Sequence, residues 1–424
     1  MTSPTPAPPA ESCGCPEFSR VSRRGLLRGA LAAGAGLTTT AAFGTAFVET
    51  SYAATRSAPS VLVVLSMRGA VDGMSLVVPH GDPVYATARP GIAVPSAQLI
   101  AKDGFFGLHP HLAPLLPLWN GGRMAAVHAT GLPAPNRSHF SAMEEVEDAA
   151  PGSTTRTGWL NRLIGRDTFS SPLQAIQLGS ANPPTSLSGP EQSVAIERIA
   201  DMRLSGADKW DTSGRRPRSM RTTWASAPGP LGAGARAAMA AIADFAPVKA
   251  TSTTPANGAS YPDGDFGRAM AATARTIRGD VGAEVITVDF GSWDHHVDLG
   301  TLGWGAMQRM TTELADVLAA FFTDLGPLAD KVTVVALSEF GRRVKQNANY
   351  GLDHGWGNVM LLLGAGVKGG YHGTWPGLAD DVNADLTVTT DYRSVLAEVV
   401  VKRLDASSAT VFPGFTPEAV GVMA

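Results

Sequence analysis

Carboxylates and imidazoles recur where the short apolar runs of this chain of 424 residues stop. After the run at 61–65 comes Arg68-Gly69-Ala70-Val71-Asp72-Gly73. After 285–288 comes Trp293-Asp294-His295-His296-Val297-Asp298. After 332–337 comes Ser338-Glu339-Phe340-Gly341-Arg342, and a short loop later Asp353-His354-Gly355. Carboxylate oxygen with neutral imidazole nitrogen, without thiolate, is a donor set for Zn²⁺, Mn²⁺ or a related divalent ion. Candidate ligands are Asp72, Asp294, His295, His296, Asp298, Glu339, Asp353 and His354. Each piece alone has an ordinary reading as a turn, a helix cap or an ion pair. Their coincidence on successive strand ends is what points to a site.

A second segment carries chemistry of another kind. Leu132-Pro133-Ala134-Pro135-Asn136-Arg137-Ser138-His139-Phe140 breaks the chain with proline and then opens a helix, with Ser141 to Glu144 spaced as a capping box. Helix N-termini favour anions. Ser138 is spaced as a nucleophile beside a metal, or simply as an N-cap. Arg68 and Arg137 suit a phosphate or sulfate held by paired hydrogen bonds, and Arg342 could steady developing charge. His139 or His296 is the candidate proton carrier.

The elements that must position these groups are legible. The runs at 61–65, 285–288 and 332–337 are β-branched and nearly continuous, as in parallel strands covered on both faces, and 360–363 and 125–127 are further candidates. Met307, Met310, Leu314, Val317, Leu318 and Phe321 recur at helical spacing, and 391–403 reads as a second helix with Val395, Leu396, Val399 and Val400 inward. Strand–helix alternation implies an open, doubly wound, mostly parallel α/β sheet with helices on both faces. Residues 180–262 are rich in Ser, Ala, Pro and Gly and read as an inserted cap or lid. Their Arg215, Arg216, Arg218 and Arg221 read as a solvated loop.

The first residues read as an address. Ser22-Arg23-Arg24-Gly25-Leu26-Leu27 is the pattern of twin-arginine translocation; an uncharged Ala/Gly/Thr-rich stretch follows, then a small-x-small site ending at Ala53. Residues 1–53 are therefore expected to be a signal peptide, with the twin-arginine translocase and signal peptidase as partners. The mature chain, 54–424, is expected outside the cytoplasm, in the periplasm, at the cell surface or secreted, and without a membrane span. Removing four Arg and three Glu from 34 basic and 37 acidic residues leaves 30 and 34, a net −4. That balance, with no basic stripe, argues against nucleic acid. Both cysteines, Cys13 and Cys15, precede the cut, so thiolate catalysis and disulfides are excluded from the mature chain.

Taken together the motifs resemble the uncharacterised bacterial "domain of unknown function 1501" family over about 61–414. The resemblance rests on Arg68-Gly69-Ala70-Val71-Asp72-Gly73, Phe106-Gly107-Leu108-His109-Pro110, Asn136-Arg137-Ser138-His139-Phe140, Gly158-Trp159-Leu160 and Trp293-Asp294-His295-His296. It continues through Leu337-Ser338-Glu339-Phe340-Gly341-Arg342, Asp353-His354-Gly355, Gly357-Asn358 and Thr390-Asp391-Tyr392-Arg393. It implies the alkaline-phosphatase-like, sulfatase-like fold with metal at the strand ends. By that likeness Asp72 is the first-strand ligand, Asp294 with His296 or Asp298 the acidic-plus-His stretch, and His354 the late ligand. Phe340 stands where the superfamily often has a His, a departure from its full two-metal site. Pro133 stands where a formylglycine precursor would, which speaks against a formylglycine sulfatase. The expected function is an exported metal-dependent hydrolase of small anionic phosphate or sulfate esters. The alternative is a non-catalytic secreted binding or assembly protein on the same fold.

Overall fold

Strand β1 (Val61–Ser66) lies near the middle of the main sheet because every residue but its last is buried. Its two faces feed two cores: Val61, Val63 and Leu65 face one, Leu62 and Val64 the other. This is why the run is continuously apolar. The computed structural model describes residues 57–154, 156–166, 171–204 and 211–424. The signal residues Arg23, Arg24 and Ala53 lie outside the described residues.

The remaining strands are β2 (Val77–Val78), β3 (Gly107–Leu108), β4 (Met124–Gly131), β5 (Ala175–Leu178), β6 (Val194–Ile196), β7 (Val285–Asp289), β8 (Val332–Leu337), β9 (Asn358–Gly364), β10 (Gly370–His372) and β11 (Thr390–Asp391). Strands β2 and β3 pair apart from the rest. The main sheet runs β10-β4-β9-β8-β1-β7-β5-β6, with β11 also on β4. All its pairings are parallel except the two made by β9. The 360–363 run is thus the one reversed strand of this sheet. Its burial on both faces follows from a central position, which made it look like its parallel neighbours.

The helices that matter are α1 (His139–Asp148), α2 (Arg215–Trp224), α3 (Gly229–Asp244), α4 (Asp265–Gly279), α5 (Ala306–Leu325) and α6 (Tyr392–Leu404). Helices α4 and α5 bury Phe266, Met270, Leu314 and Phe321 in one core, while α1 and α6 bury Val146, Val395 and Val399 in the other. The fold is therefore a doubly wound, mostly parallel α/β sheet covered on both faces. Two local expectations need correcting. Helix α1 begins three residues earlier than the capping box implied, and Ser141 and Glu144 lie inside it. The Arg215 cluster is helical, because the Asp211 carboxylate accepts the N–H groups of Arg215 and Arg216 and caps the first turn. The segment 180–262 contains β6, α2 and α3. Among the described residues no helix is long and apolar enough to cross a membrane.

Strand β1 is flanked by β7 and β8, and β4 runs in the same direction, so the carboxyl ends of four strands and the amino end of β9 share one edge. That is where such sheets place their ligands.

Two histidines away from that edge are buried as neutral rings. Burial lowers His109 to about 3, helped by His111. Burial also lowers His128 to about 4, with its ring stacked 3.7 Å from Phe106. Below pH ~6.5 the unfolded chain takes up a proton at each that the folded chain refuses. Stability should then fall as pH drops from ~6.5 towards 4, by up to about 1.4 kcal/mol per pH unit for each ring. Urea denaturation at pH 7 and 5.5 should show the loss, and His128→Phe should remove about half of it.

Candidate metal centre

The loop after β1 must pass close under the loop after β7. A Cβ on Gly69 would lie 2.8 Å from the backbone nitrogens of Trp293 and Asp294, and its φ of +107° is one that side chains rarely adopt. The Gly69 N–H donates to Glu339 Oε1 at 2.8 Å. The segment after β4 turns through Pro133 and Pro135 and enters α1 at His139, while His354 stands just ahead of β9. Five separated segments thus converge on one point.

The point is defined by ring nitrogens and one carboxylate oxygen. His354 Nε2 lies 3.0 Å from His139 Nε2, 2.9 Å from His296 Nε2 and 3.3 Å from Asp294 Oδ1. Asp294 Oδ1 is 3.4 Å from His139 Nε2 and 3.1 Å from His296 Nε2. His139, Asp294 and His354 form a group that could hold a metal ion.

The far side of each ring decides what its near side offers. His139 Nδ1 meets Glu339 Oε1 at 2.8 Å, His296 Nδ1 meets Asp353 Oδ1 at 3.1 Å, and His354 Nδ1 meets the Arg137 carbonyl at 2.9 Å. A carboxylate or a carbonyl only accepts, so each Nδ1 carries the proton and each Nε2 presents a lone pair. With the rings neutral, three imidazole lone pairs and a carboxylate oxygen therefore face one another. This repels unless a cation sits among them, and an outer acceptor on each ligating imidazole is what metal sites use to fix the tautomer. The donor spacings also fit: bonds of roughly 2.0–2.1 Å place tetrahedral donors about 3.3 Å apart and octahedral donors about 3 Å apart.

Electrostatics agree. Burial would raise Asp294, but the hydrogen bond and charge of Arg342 outweigh it, with His139 and His296 adding, and hold its carboxyl at about 2. Glu339 is likewise below its ordinary range despite burial, held down by hydrogen bonds from His139, Ser338 and the Gly69 amide. Asp353 is lowered chiefly by its hydrogen bond from His296. Burial lowers His354 and keeps it neutral. His139 is raised, by the Glu339 hydrogen bond first, so it is where a competing proton would go.

Several residues singled out in the sequence stand elsewhere. Asp72 is buried and its carboxylate takes both Arg89 nitrogens, at 2.6 and 3.1 Å, so it is outside the cluster. His295 points inward beside the Trp293 ring, and its Nδ1 has no partner. Asp298 is exposed, at a left-handed φ of 52°, and serves the turn through its backbone. Glu339 and Asp353 bind the outer nitrogens of His139 and His296. Arg342 is buried against backbone carbonyls and Asp294, Arg68 joins Glu147 to Asp289, and Arg137 is paired with Asp385. Ser138 is the exposed N-cap residue of α1 and makes no side-chain cap. Sequence reasoning missed Arg89, and Asn358, whose amide donates to the Val71 and Phe340 carbonyls and holds two site loops together. For Asn358 the Gly357-Asn358 motif was the available signal; for Arg89 there was none.

Exposed apolar side chains neighbour the ligands along the chain. Phe140, next to His139, is 88% exposed, and Val297, next to His296, is exposed too. Trp304 and Tyr350 are exposed and meet edge to face at 6.0 Å. The strip holding Val297 is bonded to the strip holding Tyr350 through Asp298 N–H to Asn349 and Leu299 N–H to Tyr350.

Known proteins place the chain in a family. A family model described as "Protein of unknown function (DUF1501)" matches residues 119–400, well over half of the chain, which therefore belongs to that family. No curated protein matches by sequence. Among solved structures, the C-terminal periplasmic domain of EptC from Escherichia coli, in complex with Zn, is similar at 10% identity and TM-score 0.31, over 74% of this chain and 77% of that one. The phosphonate monoester hydrolase of Agrobacterium radiobacter is similar at 11% identity and TM-score 0.33, over 85% and 78%. Likenesses this distant carry no argument about chemistry, which rests on the site itself.

Elemental analysis of the purified chain should find a divalent ion, and Asp294→Ala or His354→Ala should abolish its retention. Glu339→Gln keeps the ligand atoms but weakens the hold on His139, so affinity in a chelator competition should fall about 10–100-fold. Because Glu339 raises His139, protons compete at that ring from above its ordinary value. Metal affinity should fall as pH is lowered through that range and recover as pH rises.

Proposed function

We propose that this family member is an exported, divalent-metal-dependent hydrolase of phosphate or sulfate esters. The observation that carries the reading is the set of three ring nitrogens and one carboxylate oxygen aimed at a single point. In this reading His139, Asp294, His296 and His354 hold the ion, with Glu339, Asp353 and the Arg137 carbonyl keeping the rings in register. A bound Zn²⁺ or Mn²⁺ would supply Lewis acidity towards an ester oxygen and acidify a nearby hydroxyl or water.

The chain's own groups divide the remaining work. Ser138 is the candidate attacking oxygen, exposed beside His139 at the start of α1. The attack forms a bond from that oxygen to phosphorus or sulfur and breaks the bond to the alcohol oxygen, which takes a proton and leaves. Water then releases phosphate or sulfate and restores the serine, so one water is consumed per ester. Arg137, the most exposed of the three candidate arginines, is best placed to receive the anion, at the cost of sharing its bond to Asp385. Phe140, Val297, Trp304 and Tyr350 suit the alcohol portion, so the preferred ester carries an apolar or aromatic group. Export rests on Arg23, Arg24 and Ala53, with the twin-arginine translocase and signal peptidase as partners.

One feature favours a second reading, a non-catalytic exported protein that keeps a structural ion. The charge of Arg68 is already met by Asp289 and Glu147, and buried Arg342 is held by backbone carbonyls and Asp294. The two readings separate in one assay. Metal-loaded protein should hydrolyse aryl phosphate or sulfate esters, Ser138→Ala should lower kcat by at least about 100-fold, and Phe140→Ala should raise KM for an aryl ester about tenfold while leaving a methyl ester unchanged. Tight metal retention with no turnover of any ester would favour the non-catalytic protein.

A further inference from the structure

The strongest feature outside the metal centre is the hairpin formed by α2 and α3. Between residues 212 and 243 the chain has five arginines and neither lysine nor any acidic residue, within a protein of net charge −3. On α2, Arg215, Arg218 and Arg221 follow at intervals of three and are exposed, while Pro217, Met220 and Trp224 are half-buried on the other side. The interval places the three guanidinium groups along one outward stripe.

Of the stripe, Arg215 and Arg221 have no carboxylate partner among the described residues, while the charge of Arg218 acts on Asp211. Asp211 accepts backbone N–H groups of Arg215 and Arg216, which serves the helix end. Arg218 donates to the Ser213 carbonyl at 2.6 Å. Arg215, Arg216 and Arg221 form no ion pair among the described residues. Elsewhere Arg68, Arg89, Arg137, Arg156, Arg198, Arg268, Arg342 and Arg393 each have a carboxylate partner. The fifth arginine of the segment, Arg236, is used differently: it donates to the Trp224 and Ala227 carbonyls and fixes the turn between the helices. At that turn Leu231, in the first turn of α3, is 71% exposed.

We propose that the outer face of this hairpin docks the protein on an anionic phospholipid bilayer. The stripe would face lipid phosphates, and Leu231, exposed in the first turn of α3, would enter the interfacial layer. Basic side chains next to an anionic leaflet attract it within about a Debye length, and an inserted apolar group adds to the hold. The exposed leucine decides between partners: a soluble polyanion would satisfy the arginines and give Leu231 nothing. The inference is independent of the metal centre, since no residue of the hairpin belongs to it.

The test is co-sedimentation of the full mature protein with vesicles. Equal parts phosphatidylglycerol and phosphatidylcholine should bind it at low salt, at least about tenfold more tightly than phosphatidylcholine alone, and the binding should be lost near ~0.5 M salt. Replacing Arg215, Arg218 and Arg221 together by Gln should weaken binding about tenfold or more, and Leu231→Ser should weaken it by a smaller factor. Unchanged urea midpoints would show that the variants are folded. Absence of binding to the anionic vesicles, or binding that survives the triple replacement, overturns the proposal. So does arginine-dependent binding to polyphosphate without binding to vesicles, which would make the stripe a polyanion site.

Discussion

One buried guanidinium holds the site together. Arg342 donates to the carbonyls of Gly69, Ala70, Trp293 and Leu352 and to the Asp294 carboxylate, and so ties the loops after β1, β7 and β8 to the segment leading to His354. A buried cation needs every one of these partners, because an unmet donor or charge in the interior costs several kcal/mol. The same demand makes Arg342 a precise spacer. The loops can close on it in one arrangement, and that arrangement aims Asp294 at the ring nitrogens. Ala70, whose carbonyl Arg342 grips, is held at a φ of 57°, the kind of backbone strain that persists where surroundings over-determine it.

Around this pin a second layer settles protonation. Glu339 is buried and receives the Gly69 amide and the Ser338 hydroxyl as well as the His139 ring. It is therefore a fixed negative charge that decides which nitrogen of His139 is bare. Asp353 and the Arg137 carbonyl do the same for His296 and His354. The chemistry offered at the centre is thus set by the acceptors behind the rings, which leave no choice of tautomer. It also explains why the cluster carries a carboxylate that stays ionised: Arg342 stabilises the charge at the point where a cation would share it.

The arginines show how a residue type misleads when its partners are unknown. Arg68, Arg137 and Arg342 all look like anion clamps in a sequence rich in candidate ligands. In the fold Arg68 locks α1 to β7 through Glu147 and Asp289, and Arg342 locks loops. The Arg215 stripe shows the opposite error. It read as a solvated loop, yet it is a capped helix whose Arg215, Arg216 and Arg221 form no ion pair among the described residues. Local composition could not distinguish the two, because the Asp211 cap is a spatial fact.

By itself the sequence determined the sheet and the edge at which chemistry collects. Short, nearly continuous β-branched runs read as strands buried on both faces, and the residues just after such a strand lie at the sheet's end. Asp294, His296, Glu339 and His354 were legible for that reason. Tertiary structure alone decided their ranks. It drew in His139 from the head of α1, moved Glu339 and Asp353 to the outer nitrogens, turned His295 inward, and consumed Asp72 in an ion pair with Arg89. The physical reason is that a donor's role depends on which atom faces the centre and what holds its other side. Those are matters of orientation across hundreds of residues, and no local pattern encodes them.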